Sequence, residues 1–294
     1  MTKRIGLFAL AFILLASPAC AATLNVVASF SVLGDIVKEV GGDKISLKVL
    51  VGPDGDAHTF EPAPADAKAL HAADLIFMNG LALEKWMEKL VVASGTRAPV
   101  IVASEGVKPR EMNEDGETVT DPHAWQDLAN GALYVRNVAA ALKRADPADA
   151  SYFQANAETL LARLAKLDAW TREQISAVPQ DKRKVITTHD AFGYFGAAYG
   201  VTFLAPEGLS TDAEPTAGGL ARLVDQIKAE KIKALFIENM SDPRLMKTIS
   251  AETGAEMGGE LYSDALSAPD GAAPTYPSMF ENNVPKLVAA MKKN

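Results

Sequence analysis

Cysteine is almost absent from this chain: one thiol, Cys20, in 294 residues. If the chain is cleaved after Ala21, the mature protein has none, which excludes disulfides and thiolate metal sites. Basic residues are also in deficit, 29 Lys plus Arg against 37 Asp plus Glu, a net charge of −8. With no basic run anywhere, nucleic acid is excluded as a partner. Aromatic residues make up only 7%. No G-x-G-x-x-G or G-x-x-x-x-G-K-[ST] follows any predicted strand, so no nucleotide site is indicated. No G-x-S-x-G turn and no H-E-x-x-H helix occurs, which removes the usual signatures of serine and zinc hydrolases.

The only long apolar run lies at the start. Lys3 and Arg4 precede Ile5 to Ala16, a run too short for a bilayer span, and Ser17-Pro18-Ala19-Cys20-Ala21-Ala22 offers small residues for cleavage. Residues 1–21 therefore read as an export signal. Ser17 and Pro18 fit a lipid-attachment signal poorly, so no lipid anchor at Cys20 is expected. No second transmembrane candidate follows, and the product is expected to be soluble and periplasmic.

Ala148 to Val178 contains neither Gly nor Pro, the longest such stretch in the chain. Asp146 and Pro147 suit a helix start. Phe153, Ala157, Leu160, Leu161, Leu164 and Leu167 form an apolar stripe at helical spacing, with Thr171 and Gln174 expected to break it. A helix of that length exceeds one small domain and reads as a strut between two, an ordinary surface helix being the plainer alternative. On either side, short β-branched runs alternate with helical patterns, one of them from Leu83 to Ala93, implying parallel sheets. The predicted fold is α/β: two lobes, each a mostly parallel sheet flanked by helices, joined by one long rigid helix. The divisions are 22–145, 146–178 and 179–294. Within the lobes, Glu105 to Asp121 reads as an irregular acidic surface loop, and Pro285 as a kink or delay in a final helix from Met279 to Lys292.

Histidine is scarce too, with four in the chain: His58, His71, His123 and His189. His58 and His189 follow predicted strands, and His123 ends the loop that leaves the fourth strand. The loop after the last strand offers Asp264. Ligands bind outside the carboxyl ends of strands in open α/β sheets, so these positions suit a site. Imidazole and carboxylate are ordinary ligands for Zn²⁺, and Mn²⁺ accepts the same donors. On spacing alone, scattered histidines are more often surface or core residues than ligands; their places after strands bring the two readings level. His71, in a helix beside Ala72 and Ala73, reads as structural or exposed. Phe60 and Trp125 read either as walls of a site or as core aromatics.

Several stretches then act together: Gly52-Pro53-Asp54-Gly55-Asp56-Ala57-His58-Thr59-Phe60-Glu61-Pro62, Asp121-Pro122-His123-Ala124-Trp125, Thr188-His189-Asp190-Ala191-Phe192-Gly193, and Tyr262-Ser263-Asp264-Ala265-Leu266-Ser267. In combination the chain resembles the metal-binding receptors of bacterial ABC importers. The resemblance implies two α/β lobes joined by one long helix, no enzymatic activity, and a metal in the cleft held by His58, His123, His189 and Asp264. It also implies delivery of the cation to a membrane permease by a monomeric receptor; whether a periplasmic metal chaperone is a further partner is left open by the sequence. A His in the third position, here His189, is similar to the zinc receptors, whereas a Glu there is similar to the manganese and iron receptors. Zn²⁺ is therefore the expected cargo and Mn²⁺ the alternative. The His-rich loop of many zinc receptors is missing; residues 105–121 are acidic instead. Some members of the family act as adhesins, which leaves surface adhesion as the reading from a different class.

Overall fold

The computed structural model describes residues 23–114, 117–212 and 215–294. The export signal read at residues 1–21 lies outside them. The first half runs β1 (Leu24–Phe30), α1 (Ser31–Gly41), β2 (Ile45–Val51), α2 (Pro64–Ala72), β3 (Leu75–Met78), α3 (Met87–Ser94) and β4 (Val100–Val102). A hairpin of β5 (Arg110–Glu114) and β6 (Glu117–Asp121) follows, then α4 (Leu128–Ala145) and the long α5 (Ala150–Ser176). The second half contains β7 (Lys184–Ile186), α6 (Gly193–Tyr199), β8 (Thr202–Leu204), α7 (Ala217–Glu230), β9 (Ala234–Glu238), α8 (Arg244–Thr253), β10 (Glu256–Leu261) and α9 (Tyr276–Met291).

Two four-stranded parallel sheets result, ordered β2-β1-β3-β4 and β10-β9-β7-β8. Counted from its own first strand, each sheet has the same order, so the halves repeat a topology that leaves no trace as a sequence repeat. β1 is central and apolar, and from Val26 onward every residue is buried. Such a strand must be covered on both faces, which is why helices pack on each side.

The strut is real but shorter than the Gly- and Pro-free stretch. α5 has 27 residues, about 40 Å at 1.5 Å per residue. The Asp146 carboxylate accepts the N–H groups of Ala148 and Asp149, turning the chain into the helix rather than serving as its last non-helical residue. The stripe does not break at Thr171. Phe153, Ala157, Leu160, Leu164, Leu167, Thr171 and Ile175 are all buried, so the seam continues through a threonine. One apolar core takes in α1, α4, α5, α6 and α9 together with strands of both sheets. The halves are thus welded along the strut.

Three expectations are corrected. The acidic segment is not irregular: Arg110 to Glu114 pairs antiparallel with Glu117 to Asp121. Thr118-Val119-Thr120 is β-branched and favours a strand. The final helix is not delayed by Pro285, which lies inside it. Thr275 and Ser278 form a capping box, with Pro277 in the first turn, and these fix the start at Tyr276. The helix expected from Leu83 begins at Met87 instead. Leu81 and Ala82 both sit at positive φ, 53° and 64°. This costly conformation is held by buried Glu84, which accepts the N–H groups of Asn79 and Gly80 and the Ser29 hydroxyl. Burial pushes the Glu84 carboxyl above its ordinary value, against those three hydrogen bonds.

Candidate metal centre

His58, His189 and Asp264 follow strands of the two parallel sheets, His123 follows the hairpin, and a carboxylate backs each of the three histidines. His58 lies after β2, where its N–H donates to Asp56 Oδ1 at 2.8 Å. Asp56 Oδ2 in turn accepts Thr211 Oγ1 at 2.6 Å from the opposite half. His123 comes directly after β6. Its N–H and its Nδ1 both approach Asp121 Oδ1, at 3.0 and 2.9 Å. His189 follows β7, with Nδ1 2.8 Å from Glu238 Oε2 and its N–H donating to Glu238 Oε1 at 3.0 Å. Asp264 follows β10.

The structure brings all four together. One ligand atom from each lies within 4.8 Å of the other three. His123, His189 and Asp264 are fully buried and His58 is 6% exposed. Asp264 Oδ2 is 3.1 Å from His58 Nε2, 3.2 Å from His189 Nε2 and 3.5 Å from His123 Nε2. His58 Nε2 and His123 Nε2 are 3.2 Å apart. A tetrahedral ion with bonds of about 2.0–2.1 Å separates its ligands by about 3.3–3.4 Å. These four edges match that spacing, and the buried Asp264 Oδ1 has no hydrogen-bond partner. Three imidazole nitrogens around one carboxylate oxygen is a donor set for a dication.

The electrostatics agree. Burial disfavours charge on His123, but Asp264 and Asp121 outweigh it and hold its pKa up to about 9. Burial acts the same way on His189, and Glu238 and Asp264 overcome it and raise its pKa well above the ordinary value. For Asp264, burial works against ionisation, and His123 and His189 more than reverse this, keeping the carboxyl well below the usual range. The pocket favours one negative charge surrounded by positive charge, supplied by protons or by a metal.

His71 takes no part. It is exposed, and its Nδ1 meets the Ser94 carbonyl at 3.0 Å, tying the end of α2 to α3. Trp125 is buried and packs edge-on against His123 with ring centroids 5.3 Å apart. Phe60 instead packs on Trp86, and both line a surface cavity of about 500 Å³ that reaches His58. Glu238 was missed in the sequence. Its signal was there: an acid ending the apolar strand Ala234-Leu235-Phe236-Ile237, at the end of the sheet where sites form.

The model of the zinc-uptake complex component A periplasmic family, ZnuA, matches residues 26–290. The chain belongs to this family. It is 33% identical over 271 residues to the manganese-binding lipoprotein MntA of Halalkalibacterium halodurans, covering 92% of this chain and 89% of MntA. It is also 33% identical over 279 residues to the manganese ABC transporter substrate-binding lipoprotein PsaA of Streptococcus pneumoniae, covering 92% and 90%. Among solved structures it is similar to the periplasmic zinc binding protein TroA of Treponema pallidum, with a TM-score of 0.87 at 30% identity over 92% of this chain and 99% of TroA. A manganese-bound periplasmic metal binding protein of Candidatus Liberibacter asiaticus superposes with a TM-score of 0.82 at 29% identity, over 90% and 98%.

This ZnuA-family chain is thus a metal-binding substrate-binding component of an ABC importer, acting with a membrane transporter and not as an enzyme. MntA and PsaA are lipoproteins, which runs against the expectation that Cys20 carries no lipid; Cys20 itself lies outside the described residues.

Proposed function

We propose that the protein captures Zn²⁺ outside the cytoplasmic membrane and hands it to the permease of its importer. His58, His123, His189 and Asp264 are the ligands, with the cation held between lobes 22–145 and 179–294 and the helix of 146–178 behind it. The convergence of three imidazole Nε2 atoms on one buried carboxylate oxygen carries this reading. Three nitrogen donors favour Zn²⁺ over Mn²⁺. Four protein ligands close a tetrahedral site, which suits storage and transfer rather than catalysis.

Release proceeds through small lobe shifts and local loop motion, because the shared core along α5 resists wide hinge opening. Mn²⁺ is the second reading, favoured by the manganese-binding relatives. The deciding experiment titrates Zn²⁺ and Mn²⁺ into the metal-free protein against a chelator of known affinity, for wild type and His189→Glu. Tight Zn²⁺ binding with much weaker Mn²⁺ binding, and a shift toward Mn²⁺ in the variant, is the expected result. Equal affinities would make the protein a broad divalent-metal receptor. No binding of either would overturn the ligand assignment.

A further inference from the structure

Glu238 is fully buried at the end of β9 and ligates nothing in the proposed site, yet its contacts reach three of the four ligand segments. Oε1 accepts the His189 N–H at 3.0 Å, and Oε2 lies 2.8 Å from His189 Nδ1. Oε2 also accepts the Ser263 hydroxyl at 2.5 Å, beside Asp264. The Ser263 carbonyl in turn accepts Trp125 Nε1 and Gln126 Nε2, both at 2.9 Å, and these residues lie two and three positions after His123. Tyr276 completes the chain by donating to the Trp125 carbonyl at 2.5 Å. It can lie that close because Gly131 of α4 has no side chain; a Cβ there would strike the Tyr276 hydroxyl.

We propose that Glu238 is a positioning residue that sets the metal preference of the site, by fixing His189 with Nε2 toward the cation and joining the His189, Asp264 and His123 segments. This rests on the four-ligand reading above. The chemistry is specific to a carboxylate. The His189 N–H donates to Oε1, while Nδ1 lies 2.8 Å from Oε2 in an ion-pair contact too far off line to count as a hydrogen bond in the metal-free protein. A group that only accepts suits both donors. An amide of the same shape is not equivalent. If its oxygen keeps the His189 N–H, its NH₂ faces Nδ1 and is satisfied only when Nδ1 is bare, which puts the ring proton on Nε2, the atom the metal needs. A carboxylate behind a metal-binding imidazole also strengthens it as a donor. A strong imidazole matters more to Zn²⁺ than to Mn²⁺.

The test compares wild type with Glu238→Gln in chelator-competition titrations of Zn²⁺ and Mn²⁺, and in the visible absorption of the Co²⁺-loaded protein. The expected result is a loss of about 10–100-fold in Zn²⁺ affinity, a smaller loss for Mn²⁺, and a weakened, shifted Co²⁺ band as His189 leaves the ion. Equal losses for both metals, or no loss with an unchanged Co²⁺ band, would overturn the proposal. Should Glu238→Gln not fold, Ser263→Ala keeps the carboxylate and removes the hydroxyl that aims it. It is expected to move both readouts in the same direction by a smaller factor, and an unchanged ratio and band there would equally overturn the proposal. Wild-type protein that binds neither Zn²⁺ nor Mn²⁺ would instead defeat the four-ligand reading itself.

Discussion

His123 Nδ1 stands 2.9 Å from Asp121 Oδ1, and both side chains are fully buried. Asp121 is the last residue of a hairpin strand, so the second ligand is aimed by the acidic segment that precedes it. The far side of that carboxylate faces the guanidinium of Arg110, its cross-strand partner, at 3.9 Å. The hairpin therefore does for this site what a flexible loop could not: it delivers a rigid imidazole with Nε2 turned inward.

That arrangement gives a pH dependence with a defined sign. His123 holds its proton up to about 9 in the metal-free protein, and a ligand must lose its proton before it binds. Zn²⁺ affinity is expected to rise steadily from pH 6 through about 9, because His123 and His189 both hold their protons well above the ordinary histidine value. Competition titrations at constant ionic strength measure it; an affinity already flat from pH 7 upward would contradict the assignment. The metal-free protein moves oppositely. A raised histidine pKa contributes stability that is fully present below the ordinary value of 6.5 and is lost as pH rises through about 9. The depressed Asp264 pKa contributes stability present above 3.8 and lost as pH falls further. Thermal unfolding without metal is therefore expected to show lower stability at pH 9.5 than at pH 6, and a larger gain from Zn²⁺ at the higher pH.

The alternation of strands and helices was legible because each strand is a short apolar run bounded by Gly, Pro or polar turns, as at Ile45–Val51 before Gly52-Pro53. The strut was legible from a missing breaker. The four converging residues stood out as candidates from their places after predicted strands and loops, and as one ligand set only through the family resemblance. What stayed hidden depends on contacts between distant segments. The late start of α3 follows from Glu84 reaching back to Asn79 and Gly80, which no local propensity records. The hairpin was obscured because its residues are acidic and its apolar content is low. Glu238 was hidden because an acid at a strand end looks the same whether it faces solvent or an imidazole.

The mouth of the site carries its own latch. Asp56 accepts the His58 N–H with one oxygen and the Thr211 hydroxyl with the other, so a single carboxylate ties the loop of the most exposed ligand to the opposite half. An opening that separates the His58 loop from the opposite half has to break the Thr211 contact. Thr211→Val is expected to speed Zn²⁺ release about fivefold, the kinetic equivalent of one hydrogen bond worth about 1 kcal/mol, with association unchanged. Stopped-flow release into excess chelator reads this directly, and an unaltered rate would place the opening motion elsewhere.

Thr171 offers a test of the strut that is independent of metal. It is fully buried in the seam of α5, and its hydroxyl is one of the buried polar groups without a hydrogen-bond partner. A buried donor left unpaired costs about 1–3 kcal/mol, and replacing it with an apolar group of the same shape is neutral or stabilising. Thr171→Val keeps the volume and the β-branch while removing the hydroxyl. It is expected to stabilise the protein by about 1 kcal/mol, read as a higher denaturant midpoint with unchanged slope, and to leave Zn²⁺ affinity untouched. A loss of stability would mean that the hydroxyl is paired in solution. A change in Zn²⁺ affinity would mean that the seam of the strut is coupled to the site, and that α5 yields when the lobes shift.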